Sequence, residues 1–110
     1  MPMKFAWVLI DGYSLLYRWR SERPEIEDLP FPRQREALVR LLCETATALA
    51  QRVTIVFDGR GPRAEIEPSL HAVEVVFAPA HQTADTYIER LAASQPENAS
   101  LLVVTSDRAE

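Results

Sequence analysis

Four short apolar runs divide the chain, and each is rich in β-branched or aromatic residues. They are Phe5 to Ile10, Val53 to Phe57, Val73 to Phe77 and Leu101 to Thr105. Their length and composition are typical of β-strands. The first, second and fourth runs are nearly continuous rather than alternating, which is the pattern of parallel strands covered on both faces. The third run contains Glu74 and is therefore our candidate for a strand at the edge of the sheet.

Helical periodicity occupies much of the sequence between these runs. Arg35 to Arg52 places leucines at positions 38, 41, 42 and 49 on one face and charged residues on the other, which predicts an amphipathic helix. A shorter helix is expected from Tyr13 to Arg20. A second one is expected to begin after Thr83, its N-cap, and to end at about Ala93. Three prolines between Ser21 and Pro32 predict an extended surface loop.

Strands that alternate with helices predict an α/β fold with three layers, α/β/α, around a mainly parallel sheet with right-handed crossovers. The segment from Asp58 to Ala72 has no helical period, but it is long enough to connect two parallel strands. The 110 residues fit a single domain, 1–110. Ligands of such folds bind at the carboxyl ends of the strands.

Composition narrows the class of protein further. A net charge of -4 with 25% charged and 47% hydrophobic residues describes an ordinary globular domain. The first apolar run is too short for a signal-peptide core and no later run could span a membrane, so we expect a cytoplasmic protein without membrane contact. The lone Cys43 excludes an intramolecular disulfide and a cysteine-based zinc site. Three glycines are too few and wrongly placed for the usual nucleotide-binding loops.

Aspartates follow the ends of the predicted strands. Asp11 comes directly after the first run, Asp58 directly after the second and Asp107 two residues after the fourth, and Asp85 opens the helix after the third. In a parallel sheet these carboxyl ends lie along one edge, so the four carboxylates are expected to converge there. Each aspartate alone has a structural explanation, since Asp commonly ends strands, starts turns and caps helices. Asp11 and Asp107 together, both expected on central buried strands, favour a functional cluster.

Clustered carboxylates disfavour one another's ionisation, and a divalent cation relieves that repulsion. Oxygen ligands of this kind suit Mg²⁺ or Mn²⁺. Such ions activate water and neutralise the charge that grows on phosphate oxygens during phosphodiester cleavage. The aspartates therefore predict a metal-dependent reaction on a phosphodiester.

Several motifs in this order resemble a known family. They are Leu9 to Ser14, Val56 to Asp58, Val73 to Phe77, Thr83 to Glu89 and Val104 to Asp107. The chain resembles YacP-like NYN domains, which are related to PIN-domain nucleases. The resemblance implies an endoribonuclease with RNA as its partner, in a family with members linked to ribosome-associated mRNA cleavage. The family's acidic positions correspond to Asp11, Asp58, Asp85 and Asp107, which are our candidate catalytic residues. We expect Asp11, Asp85 and Asp107 as metal ligands, with Asp11 and Asp107 the principal ones, and Asp58 as a ligand directly or through water.

Two departures from the family pattern matter for function. The family usually reads Asp-Gly-Tyr-Asn where this chain has Ser14, so a shorter hydroxyl replaces an amide that helps to orient metal, water or RNA. Family members also continue past the Thr-Ser-Asp motif, so we expect 1–110 to lack C-terminal elements of the domain. Apolar sheet surface left uncovered in this way predicts self-association.

Candidate RNA contacts lie near the predicted edge of the sheet. Arg60 and Arg63, in the loop after the second run, are candidates for phosphate contacts, and Ser14 is a third candidate substrate-binding residue. Arg18 and Arg20 flank Trp19 and offer a cation beside a base-stacking surface, unless Trp19 belongs to the core.

Two other functions remain open. A catalytically weak or inactive module that binds RNA or the ribosome is favoured by Ser14 together with the expected lack of C-terminal elements. A phosphotransfer or hydrolase domain of the same layered class also places an aspartate after its first strand, but Tyr13 occupies the position where such phosphatases tend to place a second one.

Overall fold

The computed structural model describes residues 4–67 and 72–105. The strands are β1 (Phe5–Asp11), β2 (Ala50–Phe57), β3 (Glu65–Glu67), β4 (Val73–Phe77) and β5 (Leu101–Val104). The helices are α1 (Gly12–Arg20), α2 (Pro24–Glu27), α3 (Phe31–Thr45) and α4 (Ala84–Ala93), and a single 3-10 turn spans Ala46–Ala48.

The five strands form one sheet in the order β3-β4-β2-β1-β5. β1 pairs in parallel with β2 and β5, β2 pairs in parallel with β4, and only the short β3 runs antiparallel to its neighbour β4. The predicted α/β class with a mainly parallel sheet is therefore confirmed. The connection from Asp58 to Ala72 does join two parallel strands, and it contains β3 within it.

Alternate residues of the strands face two separate helical layers. Val8 and Ile10 of β1 belong to a core cluster with Leu16 of α1 and Leu38 of α3. Leu9, between them in sequence, belongs to the cluster on the opposite face together with Ile88 of α4 and Val56 of β2. Successive residues of β1 thus face opposite sides of the sheet, although every residue of the run is apolar. This is the pattern of a strand that is covered on both faces. The three predicted layers are present.

Two predictions about the position of strands in the sheet were wrong. β4 is not an edge strand, because β3 pairs with its carboxyl-terminal half. The polar residue that suggested an edge, Glu74, is instead satisfied by Arg52 and Thr54 of β2. The fourth run was expected to be central and buried, but β5 is the outermost described strand next to β1, and Val103 is 42% exposed. Self-association through such uncovered sheet surface stays a prediction.

The helical boundaries before β2 also differ from the prediction. The segment with three prolines contains the short helix α2, and α3 begins at Phe31 rather than at Arg35. Proline occupies the first turn of both helices, where its missing N–H breaks no helical hydrogen bond. The long helix ends at Thr45 rather than at Arg52, because Ala50 and Arg52 pair with β1. By contrast, α1 and α4 have nearly the predicted bounds.

A partly buried polar network joins β1, β2 and β4 on the α4 face of the sheet. The indole Nε1 of Trp7 donates to Thr54 Oγ1 at 2.9 Å, and this hydroxyl donates to Glu74 Oε1 at 2.6 Å. Arg52 donates to the same carboxylate oxygen at 3.0 Å, and its guanidinium lies 4.0 Å from the centre of the Trp7 ring. Burial acts to raise the pKa of Glu74, but the hydrogen bonds from Thr54 and Arg52 outweigh it and leave this pKa below its ordinary value.

Thr54→Val should destabilise the fold although it preserves the shape of the side chain. The variant leaves the Trp7 N–H without its partner and removes a donor from Glu74, which costs about 1–3 kcal/mol. Urea unfolding at pH 7 measures the loss, with Thr45→Val, an exposed position on α3, as the control. The pKa of Glu74 is lower in the folded chain than its ordinary value of 4.5. The ionised Glu74 side chain therefore stabilises the fold above pH 4.5, and this stabilisation is lost as the pH falls through the pKa of the folded state. Equal stability of the two variants at pH 7 would refute the network's role.

None of the helices within 4–67 and 72–105 combines the length and the apolar character that a bilayer crossing demands.

Candidate acidic site

Three of the four predicted aspartates lie at the carboxyl-terminal edge of the sheet. Asp11 is the last residue of β1 and Asp58 follows β2 directly, and these strands are neighbours. Asp85 lies in the first turn of α4, the helix that follows β4. Asp107 is outside the described residues, so its predicted place beside the others stays a prediction. The edge is where a fold of this class binds ligands.

Asp11 is the buried member of this group. Only 9% of its surface is exposed. It is also the N-cap of α1, where its carboxylate Oδ1 accepts a long hydrogen bond of 3.4 Å from the backbone N–H of Ser14. The Ser14 hydroxyl lies close enough to the same side chain to lower its pKa. The predicted substrate residue Ser14 therefore contacts Asp11 directly.

Asp58 connects the end of β2 to the start of α4. Its Oδ1 accepts a 2.8 Å hydrogen bond from the backbone N–H of Ala84, the first residue of that helix. Thr83 caps the same helix, since its Oγ1 accepts from the N–H of Thr86 at 3.1 Å. The cap confirms the sequence prediction for Thr83, and the bond from Asp58 holds the first turn of α4, which carries Asp85, near the carboxyl end of β2.

The electrostatics show that Asp58 and Asp85 lie close enough to Asp11 to affect its ionisation. Burial is the largest cause that raises the pKa of Asp11 above its ordinary value. The backbone N–H and the hydroxyl of Ser14 lower this pKa, and the negative charges of Asp58 and Asp85 raise it further. No described cation forms an ion pair with these carboxylates. The edge therefore holds excess negative charge, which a cation would stabilise.

A metal site is only partly built by the described residues. Within 4–67 and 72–105, no three Asp, Glu, His or Cys side chains come together as a group that could hold a metal ion. The residues that do approach one another are carboxylates, which are the ligands that Mg²⁺ and Mn²⁺ prefer. The chemistry of Asp11 and its neighbours thus fits a hard divalent cation, while the complete ligand set requires a further donor such as Asp107.

The predicted RNA-contacting arginines lie in the loop that follows β2 and begins with Asp58. Arg60 and Arg63 are both exposed in the loop between β2 and β3. This loop is attached to the connection between β4 and α4, because the backbone N–H of Ala80 donates to Gly61 O at 2.8 Å. Their phosphate contacts stay a prediction. Trp19, by contrast, is half-buried and packs against the core, which favours the structural explanation for this residue.

Sequence reasoning missed an arginine and gave Tyr13 no definite role beside the acidic edge. The Arg35 guanidinium lies 5.9 Å from the centre of the Phe57 ring and 5.8 Å from that of Phe77, the last residues of β2 and β4. It also donates to the Tyr13 hydroxyl at 3.5 Å. Arg35 comes from α3, far from these strands in sequence, so no local motif could have indicated this contact.

Comparison with known proteins identifies relatives of the chain. The family model described as YacP-like NYN domain matches residues 8–110. Uncharacterized protein YacP of Bacillus subtilis (strain 168) is 33% identical over 108 residues, which cover 94% of this chain and 61% of that protein. The chain thus spans about three fifths of the length of this relative. No solved structure matches it.

Proposed function

Because the chain belongs to the YacP-like NYN domain family, which is part of the PIN-like nuclease superfamily, we propose that it is a divalent-metal-dependent endoribonuclease. The observation that carries the proposal is the state of Asp11, a buried carboxylate at the carboxyl edge of a parallel sheet. Its pKa is raised by burial and by two neighbouring aspartates. A buried carboxylate whose neighbours are also negative is unfavourable for folding alone and is typical of a site that binds a cation.

Each aspartate has a distinct proposed role. Asp11, Asp85 and Asp107 would hold Mg²⁺ or Mn²⁺, and Asp58 holds the start of α4 so that Asp85 faces the same site. When bound, the cation supplies positive charge that stabilises phosphate oxygens and promotes deprotonation of water. Asp11 is the buried member of the three described aspartates, and burial raises its pKa, so the positive charge of a cation would favour its ionised form.

Residues around the aspartates are proposed to bind the RNA backbone. Arg60 and Arg63 are exposed and extend the site with positive charge in a protein that is acidic overall. The Ser14 hydroxyl lies beside the Asp11 carboxylate and orients it. The substrate class is RNA, including mRNA in the cytoplasm and on the ribosome.

A second candidate function rests on Ser14. The amide expected at this position is replaced by a shorter hydroxyl, which lies beside Asp11 and lowers the pKa of that carboxylate. A side chain used in this way does not reach a substrate as a longer amide does. This favours an RNA- or ribosome-binding module with little turnover.

The first test is internal cleavage of an end-labelled single-stranded RNA by the chain in Mn²⁺, in Mg²⁺ and in EDTA. We expect cleavage with a metal and none in EDTA. Asp85→Asn should lower the rate by about 10- to 100-fold, as is common when the surroundings of a metal are altered. Glu89→Gln, one turn further along α4 and also exposed, is the matched control and should retain the rate.

The outcomes separate the two functions. Metal-dependent cleavage that Asp85→Asn lowers and Glu89→Gln leaves unchanged supports the endoribonuclease. RNA binding without cleavage at any metal concentration would refute it and support the binding module. Equal cleavage by both variants would remove Asp85 from the site.

A further inference from the structure

Two exposed aromatic rings and an arginine form a continuous surface on α1 and the start of α3. Tyr17 and Phe31 are 46% and 43% exposed, and their ring centres are 6.4 Å apart. The Arg20 guanidinium lies 4.7 Å from the centre of the Tyr17 ring and 5.5 Å from that of Phe31. We refer to Tyr17, Phe31 and Arg20 as the aromatic-arginine surface. Exposed rings of this size are unfavourable in water, which suggests that they contact a ligand.

The arginine is held in place by a buried side chain. Arg20 Nη1 donates to Oε1 of Gln34 at 3.2 Å, and Gln34 is only 2% exposed. The amide nitrogen of Gln34 is also used, since it donates to the backbone oxygen of Leu29 at 2.8 Å. Among the described residues, no carboxylate forms an ion pair with Arg20. Its remaining N–H groups are therefore fixed in position and available to an acceptor, which lowers the entropic cost of binding.

This surface is continuous with the acidic site. The Tyr17 ring stacks on that of Tyr13, with centres 5.9 Å apart and planes 20° apart. Tyr13 in turn packs edge-to-face against Phe57 at 4.9 Å. Tyr13 is two residues after Asp11, and Phe57 directly precedes Asp58. A polymer bound along α1 could therefore contact both the rings and the aspartates.

We propose that the aromatic-arginine surface is a nucleobase-stacking subsite that binds an unpaired base of single-stranded RNA next to the acidic site. The inference rests on the proposed function and specifies its substrate as single-stranded. Flat aromatic rings bind any base through its face, and a guanidinium adds stacking, cation–π contacts and hydrogen bonds to phosphate or base edges. The bases of a double helix are not available for such stacking, because they are stacked on one another.

The position of the surface, next to the acidic site, favours RNA over a protein partner. Aromatic rings and arginine are also enriched at protein-docking patches, so composition alone does not choose the partner. Here the two rings share one guanidinium whose free donors suit phosphate or base acceptors. Docking of a protein on the same rings is the alternative that the experiment must exclude.

The test measures RNA binding rather than cleavage. Fluorescence anisotropy gives the Kd of the full chain for a short labelled oligouridylate in EDTA, where a metal-dependent reaction cannot proceed. The double variant Tyr17→Leu/Phe31→Leu keeps apolar volume but removes both flat rings, and we expect its Kd to rise on the order of tenfold. Ile66→Ala, which removes an exposed apolar side chain from β3, should leave the Kd unchanged.

An abasic oligomer of the same length tests whether bases are recognised. It should bind the unaltered chain and the double variant equally weakly, since both then contact only the backbone. Arg20→Lys keeps the charge but loses the planar group, so it should also weaken oligouridylate binding. Circular dichroism checks that every variant is folded.

Each result bears on the proposal separately from the nuclease function. An unchanged Kd in the folded double variant would overturn the subsite, even if cleavage that requires Asp11 were observed. A protein partner that is lost in the double variant while its Kd for RNA is unchanged would also overturn it. Ring-dependent binding in EDTA would support the subsite even if no metal produced cleavage.

Discussion

Asp11→Asn should abolish RNA cleavage while it makes the folded chain more stable. Asn keeps the hydrogen-bond acceptor that caps α1, so we expect the backbone at the start of α1 to be unchanged. It removes the negative charge that the proposed cation requires. We expect cleavage in Mn²⁺ to fall by roughly 100-fold or more, at the upper end of what altered surroundings of a metal usually cause.

The gain in stability follows from the direction of the pKa shift. Burial raises the pKa of Asp11 in the folded chain, and the charges of Asp58 and Asp85 raise it further. A carboxyl group with a raised folded pKa favours folding below its ordinary value of 3.8, and this contribution is lost as the pH rises through the folded value. At pH 7 the ionised Asp11 side chain therefore destabilises the fold, and the neutral Asn side chain does not. The higher stability of Asp11→Asn should disappear below the ordinary pKa of 3.8.

Thermal unfolding followed by circular dichroism measures this effect at pH 7 and at low pH. In a domain of this size each kcal/mol changes the midpoint temperature by about 4 °C. Mn²⁺ should raise the midpoint of the unaltered chain and leave that of Asp11→Asn unchanged, because a ligand stabilises only the state that binds it. Asp28→Asn, an exposed aspartate at the end of α2, is the control. Cleavage that survives Asp11→Asn would contradict the assignment, as would a loss of stability at pH 7.

Local sequence patterns were sufficient for the parts of the fold that depend on local preferences. Thr83 before an amphipathic stretch predicted α4 with its cap, and the run from Val73 to Phe77 has the bounds of β4. Asp11 and Asp58 could be placed at one edge because parallel strands put their carboxyl ends together. These inferences need only the period of the pattern and the direction of the strands.

Strand order and helix boundaries could not be obtained in this way. The three-residue β3 has no hydrophobic period of its own, so Glu74 gave the wrong indication that β4 is an edge. Prolines are compatible with both a loop and the first turn of a helix, and only packing decides between them. The prediction of Asp107 as a ligand lies outside the described residues.

The aromatic-arginine surface shows a further limit of sequence reasoning. Tyr13 and Tyr17 are four residues apart, a spacing that brings side chains together on a helix. Phe31, however, was assigned to a loop, and it reaches Tyr17 only because α3 packs against α1. Gln34, which holds Arg20, looks like any polar residue of a helix until its burial is known.

Gly59→Ala should destabilise the chain severely, whereas Gly61→Ala in the same loop should not. A Cβ added at Gly59 would lie 2.1 Å from the backbone oxygen of Ala78 and 3.2 Å from Cβ of Phe77. At Gly61 the nearest atoms would be 3.8 Å away or further. Neither glycine has a positive φ, so the difference between them is one of contact and not of backbone conformation.

The close approach at Gly59 joins the ends of β2 and β4. The backbone N–H of Ala78 donates to Phe57 O at 2.8 Å, so Ala78 cannot move away without breaking a bond between the strands. A methyl group forced into this contact costs about 1–3 kcal/mol and occasionally more, from a total stability on the order of 5–15 kcal/mol. Separation of the strands would also pull Asp58 from Ala84 and move Asp85 away from Asp11.

Urea unfolding of the two variants gives the comparison. Gly61→Ala should be neutral or more stable by about 0.4–1 kcal/mol, because alanine reduces the freedom of the unfolded chain. Gly59→Ala should lower the free energy of unfolding by about 1–3 kcal/mol. The Gly59→Ala molecules that remain folded should also cleave RNA more slowly, per folded molecule, than the unaltered chain. Equal stabilities of Gly59→Ala and Gly61→Ala would mean that the end of β2 can shift to accept a methyl group. The ends of the strands would then not hold Asp11, Asp58 and Asp85 at fixed distances from one another.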